Sequence, residues 1–155
     1  MNDKITILIA DDNPDFANTL TNYIEEDDIF EIIAMARDGK QAVEMILNTE
    51  PDVVLLDVIM PHLDGIGVLE KVTASNMKKH PICIMLSAVG QEKITQRALE
   101  LGAEYYAIKP FDINVLLQRI KEIELHKQQP KFRNSNINNN INNNINNEIN
   151  NEIKI

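Results

Sequence analysis

Five short apolar runs, each stopped by a polar or charged residue and followed by a stretch with helical spacing, set the pattern of this chain. Ile5-Thr6-Ile7-Leu8-Ile9-Ala10 is β-branched and apolar, which predicts a strand that stops at Asp11-Asp12. Asn13 and Pro14 suit the cap and first turn of a helix whose apolar positions are Phe16, Ala17, Leu20, Tyr23 and Ile24. Phe30 to Ala36 predicts a second strand. After Asp38-Gly39, Ala42, Val43, Ile46 and Leu47 form the stripe of a second helix, which Pro51 closes. Val53-Val54-Leu55-Leu56 is too short for a helix and too apolar for an edge strand, so it predicts a central strand covered on both faces and ending at Asp57. Asp64 can cap a third helix carrying Ile66, Leu69 and Val72. Pro81 opens a fourth strand that runs to Ser87, and the helix after it ends at Gly102. Tyr105 to Ile108 predicts a fifth strand leading into Lys109-Pro110. Asp112 can cap a last helix, with Val115, Leu116, Ile120 and Ile123 inward.

Strand and helix alternate five times, which predicts an α/β fold: a parallel sheet with helices on both faces and right-handed crossovers. In such sheets the carboxyl ends of the strands share one edge, where ligands and chemistry collect. Asp11, Asp12, Asp57, Ser87 and Lys109 all fall immediately after apolar runs, so the topology gathers them there. Taken singly, each has a plainer reading as a cap, a turn residue or a surface charge. Their joint placement is what points to a site.

The pattern breaks near residue 128. Residues 1–127 read as one domain, and residues 128–155 as a low-complexity Asn/Ile-rich tail in which Ile137, Ile141, Ile145, Ile149 and Ile153 recur at every fourth position. That period drifts by about 40° per repeat around an α-helix, and asparagine is a poor helix former, so the tail is expected to be disordered.

Charge narrows the partners. The net charge is −9, and it is not offset by a basic segment: Lys131, Arg133 and Lys154 against Glu148 and Glu152 leave the chain from Pro130 at +1 and the rest at −10. Direct nucleic-acid binding and an anionic membrane surface are therefore not expected. No run approaches the length of about 20 apolar residues that a membrane span needs. With one cysteine no internal disulfide can form, and Cys83 lies in the apolar run Ile82 to Leu86, where it reads as a small buried hydrophobe. A cytoplasmic location is expected.

Three carboxylates at neighbouring strand ends repel one another unless a cation sits among them. Hard oxygen ligands on open loops suit Mg²⁺, which takes one or two carboxylates together with phosphate oxygens and water. Lysine offers a point charge for a phosphoryl oxygen, serine a hydroxyl donor, and an aspartate carboxylate can itself attack phosphorus to form an acyl phosphate. His62, His80 and His126 show no mutual metal-ligand spacing.

The segments ADDN at Ala10, LLDVIMPHLDG at Leu55, LSA at Leu86 and YAIKPFD at Tyr106 resemble the receiver domain of two-component response regulators, over about Lys4 to Glu124. The wording IMPHLDG, with SAVGQEKITQRALELGA after it, is similar in particular to the receivers of sporulation regulators. The resemblance implies a flavodoxin-like fold with sheet order 2-1-3-4-5 and five helices. It implies Asp57 as phosphoacceptor, and Mg²⁺ held by Asp11, Asp12, Asp57 and the backbone carbonyl of Ile59. Ser87 and Lys109 would bind the phosphoryl group, and Tyr106 would be the aromatic switch residue paired with Ser87. The implied partners are a histidine kinase or a phosphotransfer protein, with a receiver homodimer on phosphorylation as a further expectation.

The implied role is a phosphorelay signalling switch and not a metabolic enzyme. An aspartyl phosphohydrolase would want a second aspartate two residues after the nucleophile, where Ile59 stands. A flavin or nucleotide binder would want a Gly- or hydroxyl-rich loop after the first strand, where Asp-Asp-Asn-Pro-Asp would repel phosphate. The alternative role is a phosphorylation-independent adaptor or competitor receiver, since the Asn-rich tail stands where a sporulation regulator would continue into its DNA-binding output domain.

Overall fold

A computed structural model describes residues 3–128. The alternating runs become β1 (Ile5–Ala10), α1 (Pro14–Glu25), β2 (Phe30–Ala36), α2 (Gly39–Thr49), β3 (Val53–Asp57), α3 (Gly65–Thr73), β4 (Ile82–Ser87), α4 (Glu92–Glu100), β5 (Tyr105–Ile108) and α5 (Ile113–Gln128). All pairings are parallel, in the flavodoxin-like order β2-β1-β3-β4-β5. The sheet and α1 to α4 fall in one unit, which extends to Lys109, and the chain from Pro110 forms a second unit.

β3 is the central strand, and all five of its residues are buried. Because side chains alternate across a strand, Leu8, Ala10, Val54, Leu56 and Met85 share one face. There they form a single core with Ala42 and Ile46 of α2, Val68, Leu69 and Val72 of α3, and Ala98 of α4. On the other face Ile7, Ile9, Leu55, Ile84 and Leu86 are fully buried. Burial of a single side chain of this size contributes about 1.5–3 kcal/mol, so the sheet centre anchors the whole edge that follows it. Cys83 belongs to this core, as its apolar setting predicts.

Helix starts follow the caps visible in the chain. Asn13 accepts from Phe16 N, Asp38 from Gln41 N and Asp64 from Gly67 N, each filling a backbone donor that the first turn leaves open. Asp112 accepts from Asn114 N at 2.8 Å just before α5. α4 departs from the rule: Gln91 at its cap position makes no such bond. Gly102 ends the α4 region with φ +112°, a conformation that favours glycine.

Three side chains expected to face inward do not. Val115 is 47% exposed, and Tyr23 and Leu47 are similarly open. In α5 the buried set is Leu116, Leu117, Ile120 and Glu124. One residue is about 100° of helix, which carries Val115 off the edge of that stripe although apolarity alone had placed it inside. Ile123 is half-buried. The segment expected to be disordered, residues 128–155, lies outside the described residues apart from Gln128.

Candidate functional site

The register of the sheet decides which side chains meet. Ala10 pairs with Leu56, Asp57 with Leu86, and Ser87 with Ile108, so Asp11, Asp57, Ser87 and Lys109 emerge together at one edge. Backbone bonds continue past the strand ends, from Asp11 N to Ala36 O, Val58 N to Leu86 O and Lys109 N to Ser87 O. The site is thus mounted on ordered ladder and not on free loops.

Asp11, Asp12 and Asp57 each offer a carboxylate oxygen within 4.8 Å of the others. Asp11 and Asp57 are buried, and Asp12 is exposed. Both oxygens of Asp11 are engaged: Oδ1 accepts from Asn13 N at 2.9 Å, and Oδ2 pairs with Lys109 Nζ at 2.7 Å. Lys109 Nζ also lies 3.7 Å from Asp57 Oδ2 and 4.1 Å from the centre of the Phe16 ring. A cation over an aromatic face is attracted by the ring quadrupole, so Phe16 steadies the ammonium between the two carboxylates.

Burial pushes the Asp57 carboxyl up to about 6 from the ordinary 3.8. Lys109 opposes the rise, Asp11 and Asp12 add to it, and a hydrogen bond from the Ile59 backbone N–H opposes it again. The carboxylate is therefore held against the preference of its surroundings, as expected for a group meant to receive positive charge or to share its own with an electrophile.

The loop after Asp57 is fixed by close backbone approach. Gly65 N donates to Val58 O at 2.8 Å, and a Cβ on Gly65 would stand 2.5 Å from the Asp57 carbonyl oxygen. A Cβ on Gly39 would stand 1.8 Å from the Leu63 carbonyl oxygen. Only glycine fits at either point, so the loop is clamped between the end of β3 and the start of α2. Ile59 within it is exposed, and so is Val89 after β4.

Ser87, buried at the end of β4, shares a 2.7 Å hydrogen bond with Thr95 of α4, and Thr95 Oγ1 lies 2.8 Å from Gln91 O. Gln91 turns its side chain back, accepting from Ala88 N at 2.7 Å, which accounts for the missing cap on α4. Tyr106 of β5 packs half-buried against the core, with its ring centre 6.3 Å from that of Tyr105. Burial, then the charges of Tyr105 and Glu92, push its hydroxyl above the usual tyrosine range.

The sequence-expected residues Asp11, Asp12, Asp57 and Lys109 come together directly, and Ser87 and Tyr106 stand on the adjoining strands. Lys109 also has a structural partner in Asp11, because a carboxylate as deeply buried as Asp11 is costly without a cation beside it. Two contributors were not legible: Phe16, which looked like a core position of α1, and Thr95, whose hydroxyl meets Ser87 only once α4 packs.

Three carboxylates at loop ends, one of them open to solvent, are a donor set of hard oxygens that fits Mg²⁺. The model of the response regulator receiver domain matches residues 7–121. The chain belongs to this family. Among solved structures, this receiver is similar to the response regulator domain of Thermotoga maritima CheB, with 29% identity over 77% of this chain and 96% of that one and a TM-score of 0.70. The receiver domain of Francisella response regulator 1452 matches at 30% identity over 81% of this chain and 100% of that one, with a TM-score of 0.71. The REC domain of AraT, a response regulator from Geobacillus stearothermophilus, matches at 26% identity over 80% and 98%, with a TM-score of 0.70. No helix among the described residues is long and apolar enough to cross a membrane.

Proposed function

We propose that residues 1–127 form a phosphorelay switch in which Asp57 accepts a phosphoryl group from a phosphohistidine on a histidine kinase or phosphotransfer protein. The observation that carries this is Asp57 at the end of the buried central strand, within 4.8 Å of two further carboxylates and 3.7 Å from the Lys109 ammonium. A carboxylate oxygen of Asp57 forms the new bond to phosphorus as the bond from phosphorus to the donor imidazole nitrogen breaks, that electron pair staying on the nitrogen. Asp11, Asp12, Asp57 and the Ile59 carbonyl would hold Mg²⁺, which supplies neutralisation of the negative charge gathered at the transferring group. Lys109, released from Asp11, provides the positive charge that this chain contributes itself, and Phe16 keeps it near. Ser87 donates to a phosphoryl oxygen, and Tyr106 moves toward the space that Ser87 leaves, reshaping the surface around α4 and β5.

The IMPHLDG wording supports a place among the sporulation-type receivers. The separation of roles supports a signalling module without metabolic turnover of its own, since every group at the edge serves to bind or position one phosphoryl group. Label carried by a phosphorylated histidine phosphotransfer protein should pass to this chain in Mg²⁺ and fail to pass to Asp57→Asn. Equal labelling of the two proteins would refute the assignment of Asp57.

A further inference from the structure

Hydroxyl protons can be assigned at the end of β4. A carbonyl oxygen only accepts, so at 2.8 Å from Gln91 O the single hydroxyl proton of Thr95 is committed to that carbonyl. Across the 2.7 Å contact between Ser87 Oγ and Thr95 Oγ1, Ser87 must then be the donor. Both side chains are buried, Ser87 at 2% and Thr95 at 4% exposure, so no bulk water competes for that proton. In this structure the Ser87 hydroxyl is thus directed to Thr95 of α4.

We infer that Thr95 is a positioning residue that sets the threshold of the switch by holding the Ser87 hydroxyl in its inactive direction, an inference that rests on the phosphoacceptor reading above. To donate to a phosphoryl oxygen on Asp57, Ser87 must release Thr95. Thr95 loses little by this, because its own proton stays on Gln91 O and only an acceptor lone pair is left unfilled. The bond to Thr95 therefore works against the phosphorylated state through Ser87 alone. It also ties β4 to the first turn of α4, where Gln91 accepts from Ala88 N and donates to Ala88 O at 3.2 Å. Reorienting Ser87 cuts that tie within the first turn of α4. Thr95 thus connects the phosphoryl site to α4 through one hydrogen bond.

Thr95→Val keeps the shape and removes the acceptor, stranding the buried Ser87 donor in the inactive arrangement only. The probe is beryllium fluoride with Mg²⁺, which mimics a phosphoryl group on a carboxylate, and affinity is read by calorimetry. Thr95→Val should bind it about fivefold more tightly than wild type, the scale of one buried hydrogen bond. Thr95→Ala, which removes the hydroxyl with a different shape, should also gain, and Thr95→Ser should return to the wild-type affinity. In a Ser87→Ala background Thr95→Val should change nothing. Unchanged affinity in both Thr95→Val and Thr95→Ala, or the same gain with and without Ser87, would overturn the role of Thr95. A wild-type protein that fails to bind beryllium fluoride would instead overturn the phosphoacceptor reading, and this inference with it.

Discussion

The Lys109 ammonium stands 2.7 Å from Asp11 Oδ2 and a full ångström farther, 3.7 Å, from Asp57 Oδ2. Its first partner is thus Asp11 and not Asp57, and under the proposed function, service to a phosphoryl group on Asp57 requires exchanging one oxygen for another over a short swing. The side chain of Asp11 is fully buried and that of Lys109 only partly so, which makes the lysine the mobile member of the pair.

Removing Lys109 should therefore cost stability as well as signalling. Lys109→Ala strands a buried carboxylate oxygen, a loss of about 2 kcal/mol once the partial exposure of Lys109 is allowed for. The loss should show in EDTA and shrink in Mg²⁺, where a second cation source serves the same carboxylates. Thermal melts of wild type and variant with and without Mg²⁺ check this, and an unchanged melting temperature in EDTA would contradict it.

Asp57 ties stability to pH in the opposite sense from an ordinary salt-bridged aspartate. Its folded value of about 6 lies above the ordinary 3.8, so between these the folded chain binds more protons than the unfolded one. By linkage, the stabilisation is fully present below pH 3.8 and is lost as pH rises through 6. In EDTA, Asp57→Asn should melt above wild type at neutral pH, with the gap closing as pH falls through that window. A gap that stays constant across the window would show that the Asp57 carboxyl is not raised.

Asp12 is exposed and contributes to the charge that raises Asp57. Its replacement should separate metal binding from folding. Asp12→Ala is expected to keep its stability within about 0.5 kcal/mol, while Mg²⁺ affinity and Mg²⁺-dependent phosphorylation fall by at least about tenfold. Metal titration alongside phosphorylation rate provides the check, and a normal rate in the variant would remove Asp12 from the metal set.

The lifetime of the acyl phosphate should be long. Ile59 and Val89, two residues beyond Asp57 and Ser87, are exposed and apolar, so neither can orient a water by hydrogen bond and both can shield phosphorus. A tenfold change in hydrolysis corresponds to only about 1.4 kcal/mol of barrier, within reach of one side chain. After removal of the phosphoryl donor, Ile59→Asn or Val89→Glu should lose phosphate faster than wild type at unchanged fold. Equal or slower decay in both would mean that these side chains do not control the water.

Much of this molecule could be read from alternation and punctuation. The β-branched runs, the caps Asn13, Asp38 and Asp64, and the apolar centre at Val53 to Leu56 are local signals, and local signals survive folding. The sheet order was a different matter, since nothing in the alternation says that β1 lies between β2 and β3; that came through the resemblance carried by ADDN, LLDVIMPHLDG and YAIKPFD. The Thr95 and Phe16 contacts link side chains far apart in sequence or on different elements, so no local pattern contains them. Val115 failed because apolarity marks a helix face only to within one residue, and one residue is about 100°.

The central claim, that Asp57 is the acceptor, has a direct test in intact-mass spectrometry after incubation with acetyl phosphate and Mg²⁺. The expected result is a single added phosphoryl group on wild type, absent from Asp57→Asn and absent when Mg²⁺ is chelated. A phosphoryl adduct of equal yield on Asp57→Asn, or none on folded wild type, would contradict it.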